Sequence, residues 1–282
     1  MKITSFQAFL NFGKRIAYQV LPPLLFNLIK RFKKKTSVSY ARFEDALLKC
    51  NNLGYSNADI VDQVKSKTLK LKFENFKKHD LSESDLRILL MASRYLGNGS
   101  LKVLDFGGGA GYHYYLFKSW FPKCPKVEWV VVETELMVEM CNDLQNPELK
   151  FVSDIPTEND SPFDLVVAAS SIQYTCDPIS ILARLLQIKA TSFCMTKTPM
   201  LSYKDKLITV QASILSDHGP GKSYSKLENK LILTPITFIY KETVSKMFEQ
   251  NYARFQLTQD ARSSFEFNGR EIPTFSAFCS AL

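Results

Sequence analysis

The chain has 282 residues, 45% of them hydrophobic, 23% charged and 12% aromatic, enough for one large domain, or one with a small partner, that buries a core without staples. Eleven Gly and 12 Pro are too few for a fibrous or disordered chain. Six scattered Cys with no C-x-x-C pair argue against a zinc module or a secreted disulfide scaffold and fit a reducing cytosol.

The formal net charge of +8 is local. Nine basic residues and no acidic one occupy positions 1–43, which leaves 27 basic against 28 acidic residues in the rest. A nucleic-acid-binding fold carries its positive face on the fold itself, so no nucleic-acid partner is expected.

Residues 1–36 form a basic and apolar segment. Its apolar stretch, Ile16 to Ile29, is interrupted by Pro22-Pro23 and bracketed by Lys14-Arg15 and the run from Lys30 to Lys35. A membrane span needs about 20 continuous apolar residues, and a signal peptide needs a small-residue cleavage site; neither pattern is present. Two readings stay open: an interfacial segment held on an anionic membrane surface, or a helix packed on its own domain with a solvated basic cap. The expected location is cytoplasmic, with peripheral attachment to the inner face of the membrane under the first reading.

Residues 37–98 read as a helical region. Phe43, Ala46, Leu47 and Cys50 have helical spacing, with Gly54 as a stop. A second helix begins near Asp59 with Asn57 or Ser56 as cap. A third opens at Ser82-Glu83-Ser84-Asp85 and runs through Leu86, Leu89, Leu90, Ala92 and Tyr95.

From 99 to 282, short apolar runs alternate with helical stretches. The expected strands are 102–106, 128–132, 163–168 and 192–196, with a further strand ending at Phe151 to Asp154. Runs such as Val130-Val131-Val132 and Leu165-Val166-Val167 suit a parallel sheet covered on both faces. Asn268-Gly269 lies between two alternating segments, and so predicts a closing antiparallel pair.

The central motif is Val103-Leu104-Asp105-Phe106-Gly107-Gly108-Gly109-Ala110-Gly111. A dinucleotide fingerprint needs a third glycine where Tyr112 stands. The loop instead matches D-x-G-x-G-x-G, through Asp105, Gly107, Gly109 and Gly111, the pattern of Rossmann-like methyltransferases that bind S-adenosyl-L-methionine. Glycines let the backbone approach a ligand without Cβ clashes. In that frame Asp105 accepts from an ammonium, Glu133 from both ribose hydroxyls, and Asp154 from an adenine amino group. Ser170, Ser171, Gln173 and Tyr174 follow the fourth strand and face the crevice at the strands' carboxyl ends. A Gly-rich turn in an unrelated α/β fold, and a Ser-capped helix start, are the plainer readings of the same residues.

Together with Leu21-Pro22-Pro23, Phe43 to Ala46, Leu53-Gly54-Tyr55, Ser170 to Pro178, Thr196 to Pro199 and Asp205 to Gln211, these motifs resemble a family of bacterial methyltransferases associated with surface-polysaccharide gene clusters. The resemblance implies an α/β fold with a mostly parallel seven-stranded sheet, a C-terminal antiparallel strand pair and a preceding helical region. It also implies S-adenosyl-L-methionine as cofactor and a small-molecule or lipid-linked saccharide as substrate. The chain departs from the family at Lys197, where Arg is expected, and across 216–235, where a more aromatic stretch is expected over the acceptor pocket. An alternative is a non-catalytic module of the same fold in a membrane-associated glycan assembly.

O-methylation of a sugar hydroxyl requires a base for its proton. The candidates are His113, directly after the glycine loop, and His218, in the loop Asp217 to Gly221. Tyr174 is a hydrogen-bond donor and Lys197 a charge for an acidic sugar; His79 lies in a charged stretch and reads as solvated. No His/Asp/Glu cluster has metal-ligand spacing, so no metal is expected.

Overall fold

The computed structural model describes residues 38–51, 53–74, 81–124, 126–157, 162–203, 205–221 and 230–281. The basic segment 1–36 and His79 lie outside the described residues. The chain divides into two compact units, Val38–Phe265 with Glu271–Leu282, and Met1–Ser37 with Glu266–Arg270. Of the second, the turn is described: Asn268 and Gly269 have φ of +49° and +76°, as a tight Asn-Gly hairpin turn requires.

The first unit begins with three helices. Helix α1 (Phe43–Lys49) buries Ala46. Helix α2 (Ala58–Glu74) starts where the Asn57 side-chain oxygen accepts the Asp59 N–H at 2.9 Å. Helix α3 (Glu83–Ser93) opens on a capping box, the Ser82 hydroxyl accepting from the Asp85 N–H while the Asp85 carboxylate accepts from the Ser82 N–H. Such a cap is worth about 1 kcal/mol. The inward face of α3 is Ile88, Leu89, Met91 and Ala92, whereas Leu86 and Leu90 are exposed. Gly54 does not end α1, which stops at Lys49; it opens a separate 3-10 turn at φ +48°.

The sheet follows. Its elements are β1 (Leu101–Phe106), α4 (Tyr112–Trp120), β2 (Val127–Val132), α5 (Glu135–Met140), β3 (Leu149–Val152), β4 (Leu165–Ala169), α6 (Pro178–Gln187), β5 (Ser192–Leu201), β6 (Leu207–Ile214), β7 (Leu231–Tyr240), α7 (Lys241–Asn251), β8 (Arg254–Phe267) and β9 (Arg270–Ser280). The main path is β3-β2-β1-β4-β5-β7-β6, and β9 pairs with both β5 and β8. The β3-β2-β1-β4-β5 block is parallel throughout, β9 runs antiparallel to β5, and β6 antiparallel to β7. This is a Rossmann-like α/β sheet preceded by helices and closed by an antiparallel strand pair.

Among the described residues the sheet has nine strands rather than the expected seven. The difference is the β6–β7 ribbon, of which the first residues of β7, Leu231 to Pro235, fall in the stretch 216–235 expected to cover the site. It joins the sheet through β7, which pairs with the end of β5 at Met200 and Leu201.

Alternation along the buried strands sends side chains to two cores. Val103, Trp129, Val131 and Leu165 pack beneath α2, α3 and α4. Leu104, Val130, Val166 and Phe193 pack beneath α6 and α7. Each fully buried large apolar side chain contributes about 1.5–3 kcal/mol, which accounts for the nearly continuous apolar runs. Asp105 sits among these strands with no exposed surface. No helix of the described residues is long and apolar enough to cross a membrane.

Candidate functional site

A cleft of about 570 Å³ opens at the carboxyl ends of β1, β2, β4 and β5, the position where open α/β sheets receive ligands and within the usual size of small-molecule sites. Its floor is the glycine loop. Gly107 and Gly109 have φ of +72° and +58°, a region costly for residues with a Cβ. Space excludes side chains as well: a Cβ on Gly107 would fall 2.3 Å from Ser171 Cβ, and one on Gly108 2.5 Å from Asp105 Oδ2. Bare backbone therefore faces the cleft. Gly111, at φ +78°, lies behind it, where a Cβ would meet Leu149 at 3.0 Å.

Two carboxylates close the strands and do different things. Glu133 lines the cleft; its Oε1 accepts the Gly109 N–H and its Oε2 the Thr134 N–H, both at 3.0 Å. Burial raises its pKa, opposed by those two amides and assisted by the charge of Asp105. Asp105 lies one layer beneath, under Gly108. Its Oδ2 faces His113 Nδ1 at 2.9 Å and accepts the Trp129 indole N–H at 3.1 Å. Its Oδ1 is buried with no partner among the described residues. Asp105 thus shapes the floor rather than forming part of the cleft's lining.

His113, at the start of α4, lines the cleft and is largely buried. Burial pulls its pKa down, but the Asp105 charge and hydrogen bond, with the Asp85 charge, outweigh it, so the value is raised.

Across the cleft stand residues far apart in sequence. Ser170 has φ +51°, strained for a residue with a Cβ, and its hydroxyl accepts from Gln173 Nε2 at 3.0 Å. Gln173 is fully buried, outside the lining, with Oε1 unpartnered among the described residues. The Tyr174 hydroxyl donates to Gln211 Oε1 at 3.0 Å and its ring lies 4.5 Å from that of Tyr55. Burial raises the Tyr174 pKa, so the phenol stays protonated and acts as a donor. His218 Nε2 is 2.8 Å from Ser213 Oγ, and burial lowers its pKa, opposed by Asp217 and assisted by Lys67.

Lys197 also lines the cleft, at φ +51° where the β5–β9 register breaks between Met195 and Thr198. The bulge re-aims one residue of a buried strand. Among the described residues its ammonium has no ion-pair partner.

Asp154 departs from its expected place. It follows β3, is exposed, and its Oδ1 takes Arg184 at 2.6 Å, the pKa being lowered first by that hydrogen bond. The structure does not bring it to the cleft, because its partner on α6 turns it away. Of the other expected residues, Gly107, Gly109, His113, Glu133, Ser170, Tyr174 and His218 share one cleft, while Asp105, Gly111 and Gln173 support it from behind. Tyr55, Asp85 and Gln211 also line it without having been assigned a role from sequence; Tyr55 and Gln211 lay inside motifs of the resemblance, which was the one signal available. Among the described residues no group of three or more His, Cys, Asp or Glu is placed to hold a metal.

No family model matches the chain, and no curated protein matches it. Solved structures similar to it include a sugar N-methyltransferase from a Streptoalloteichus species, 12% identical, covering 76% of this chain and 93% of that one at a TM-score of 0.44. An S-adenosylmethionine-dependent methyltransferase from Clostridium acetobutylicum, also 12% identical, covers 77% of this chain and 99% of that one at 0.41. A 1,6-didemethyltoxoflavin-N1-methyltransferase from Burkholderia thailandensis, with bound S-adenosylhomocysteine, is 12% identical and covers 77% and 88% at 0.39. At these identities and scores the likeness is loose, and function is read from the cleft alone.

Proposed function

We propose that the chain is an S-adenosyl-L-methionine-dependent methyltransferase that methylates a hydroxyl of a sugar or glycan intermediate in surface-polysaccharide synthesis. One observation carries the cofactor reading: the side-chain-free loop at Gly107 and Gly109 bonds through an amide to Glu133, in the same cleft. The residues fit the group. The glycines present bare backbone to the cleft, their Cβ positions being filled by Ser171, Asp105 and Val64, and Glu133 keeps lone pairs for a vicinal diol after its two amide bonds. Bound there, the cofactor would supply a methyl group activated by a positive sulfur.

The chain's own residues then have three tasks. The glycine backbone and Glu133 hold the donor. Tyr174, fixed by Gln211 and Tyr55, and Lys197 orient the acceptor; Lys197 suits an acidic sugar. Holding the reacting groups in line supplies most of the effect, up to ~7–11 kcal/mol in intramolecular models.

The domain reading is 1–36, 37–98 and 99–282, with the first segment, which carries eight basic residues and no acidic one, docking on an anionic membrane from the cytoplasmic side to bring the cleft near lipid-linked acceptors. Incubation with labelled methyl donor and a panel of nucleotide- and lipid-linked sugars tests the reaction. Label in a sugar product supports it. Donor binding with no transfer to any acceptor favours the non-catalytic module.

A further inference from the structure

Building on the methyl-transfer reading, we infer that His113 is the cleft's proton acceptor, that Asp105 is the residue that positions it, and that the acceptor is accordingly a neutral hydroxyl. A base is needed only where the nucleophile carries a proton that must leave.

The geometry selects His113 among the three candidates. Its Nδ1 is committed to Asp105 Oδ2 at 2.9 Å. That fixes the neutral ring with its proton on Nδ1 and leaves the Nε2 lone pair free, the arrangement by which a buried carboxylate prepares an imidazole. Nε2 has no partner among the described residues, and the ring lines the cleft. Asp105 cannot turn away, because Trp129, itself fully buried, donates to the same oxygen and Gly108 lies over the carboxylate. His218 is differently placed. Its Nε2 is taken by Ser213, and among the described residues no carboxylate hydrogen-bonds its ring. Tyr174 is held as a donor by Gln211.

The charged and titratable groups facing His113 are Asp105 from β1, Asp85 from α3 and Tyr112 from its own helix. Beside Asp105 on β5, the Cys194 thiol is pushed up to about 12 by burial and stays neutral. The two carboxylates make His113 a stronger base than a free imidazole. In the transfer, the hydroxyl oxygen bonds to the methyl carbon while the carbon–sulfur bond breaks with its pair remaining on sulfur. The hydroxyl proton passes to His113 Nε2, and the resulting imidazolium faces Asp105.

The test uses the full chain with labelled histidines, assigned through single His→Gln variants and followed by NMR against pH. The expected neutral form of His113 has its proton on Nδ1 and titrates above the ordinary imidazole value. Asp105→Asn lowers that midpoint by about one unit or more and leaves His218 in place. A neutral ring protonated on Nε2, or a midpoint indifferent to Asp105→Asn, overturns the assignment. Diethyl pyrocarbonate with peptide mapping checks access: His113 is expected to react in the folded protein, and its failure to do so overturns the role. S-adenosylhomocysteine titration separates a base from a donor ligand, with His113→Gln expected to bind within about threefold of wild type. A loss of tenfold or more makes His113 a donor ligand instead. If wild type itself fails to bind, the methyl-transfer reading falls and takes the base role with it, whatever NMR shows of the His113–Asp105 pair.

Discussion

Glu133 Oε1 accepts the amide N–H of Gly109 at 3.0 Å, so the acid that ends β2 and the loop that follows β1 are held as one unit at the floor of the cleft. The two strands lie side by side, Phe106 opposite Val132, which is why residues 24 positions apart in sequence meet without strain.

Removing that carboxylate gives the first prediction. Glu133→Ala leaves the Gly109 amide without its acceptor and removes the diol site, and S-adenosylhomocysteine affinity is expected to fall by about 1–3 kcal/mol or more. Glu133→Gln, which keeps an acceptor oxygen, loses less. Calorimetric titration of both variants checks the order; equal affinity in all three proteins contradicts it.

The loop itself gives the second. Gly107→Ala combines a left-handed backbone with a Cβ placed 2.3 Å from Ser171 Cβ, and is expected to lower stability by about 1–3 kcal/mol or more and to weaken donor binding. Gly99→Ala is the control: the φ is also positive, at +74°, but nothing lies within 4 Å of the Cβ. Its stability loss is expected to be smaller and donor affinity unchanged. Urea unfolding and donor titration measure both.

Behind the cleft, Asp260 on β8 is almost fully buried. It accepts from Arg87 on α3, from Thr274 Oγ1 at 2.8 Å and from Ser276 Oγ at 2.6 Å. Asp260→Ala leaves the largely covered Arg87 guanidinium short of its inner partner, and breaking such a pair costs about 3–5 kcal/mol. Arg87 retains Glu83 at the surface, which argues for the lower end. A change below 1 kcal/mol in urea unfolding would show that the network relaxes into solvent.

The local features of the site were legible because they are written in consecutive residues. The apolar run into Asp105, the glycines after it and the acid ending the second strand each follow from strand burial and loop sterics within a few positions. The parts that needed the fold are those made by distant partners. Asp154 sits at the end of a strand like the other two acids, but Arg184, 30 positions on, draws it outward. Asp105 ends its strand as a ligand residue would, but its Oδ2 is turned to His113 and Trp129 beneath the loop, contacts no local pattern shows. Tyr55 and Gln211 meet Tyr174 only after the helical region and the β6–β7 ribbon have folded around the strand ends. That ribbon was missed as structure because β6 is buried over its first three residues only, which blurs the alternation by which a strand is read. The bulge at Lys197 is a break in pairing with β9, which no local pattern announces.

The membrane reading is tested apart from the chemistry. The full chain is expected to co-sediment with anionic vesicles and to be released as salt shortens the Debye length from ~8 Å at physiological strength to ~3 Å at 1 M. A chain beginning at Ser37 is expected to stay in the supernatant. Equal behaviour of the two contradicts it.

The central claim is that the cleft over Gly107 to Gly109 holds a sulfonium methyl donor. Isothermal titration of the full chain with S-adenosylmethionine, S-adenosylhomocysteine and NAD tests it most directly. Saturable one-to-one binding of the first two, lost or strongly weakened in Glu133→Ala, is expected, with no binding of NAD. Binding of NAD alone, or the same affinity for S-adenosylhomocysteine with and without the Glu133 carboxylate, would contradict it.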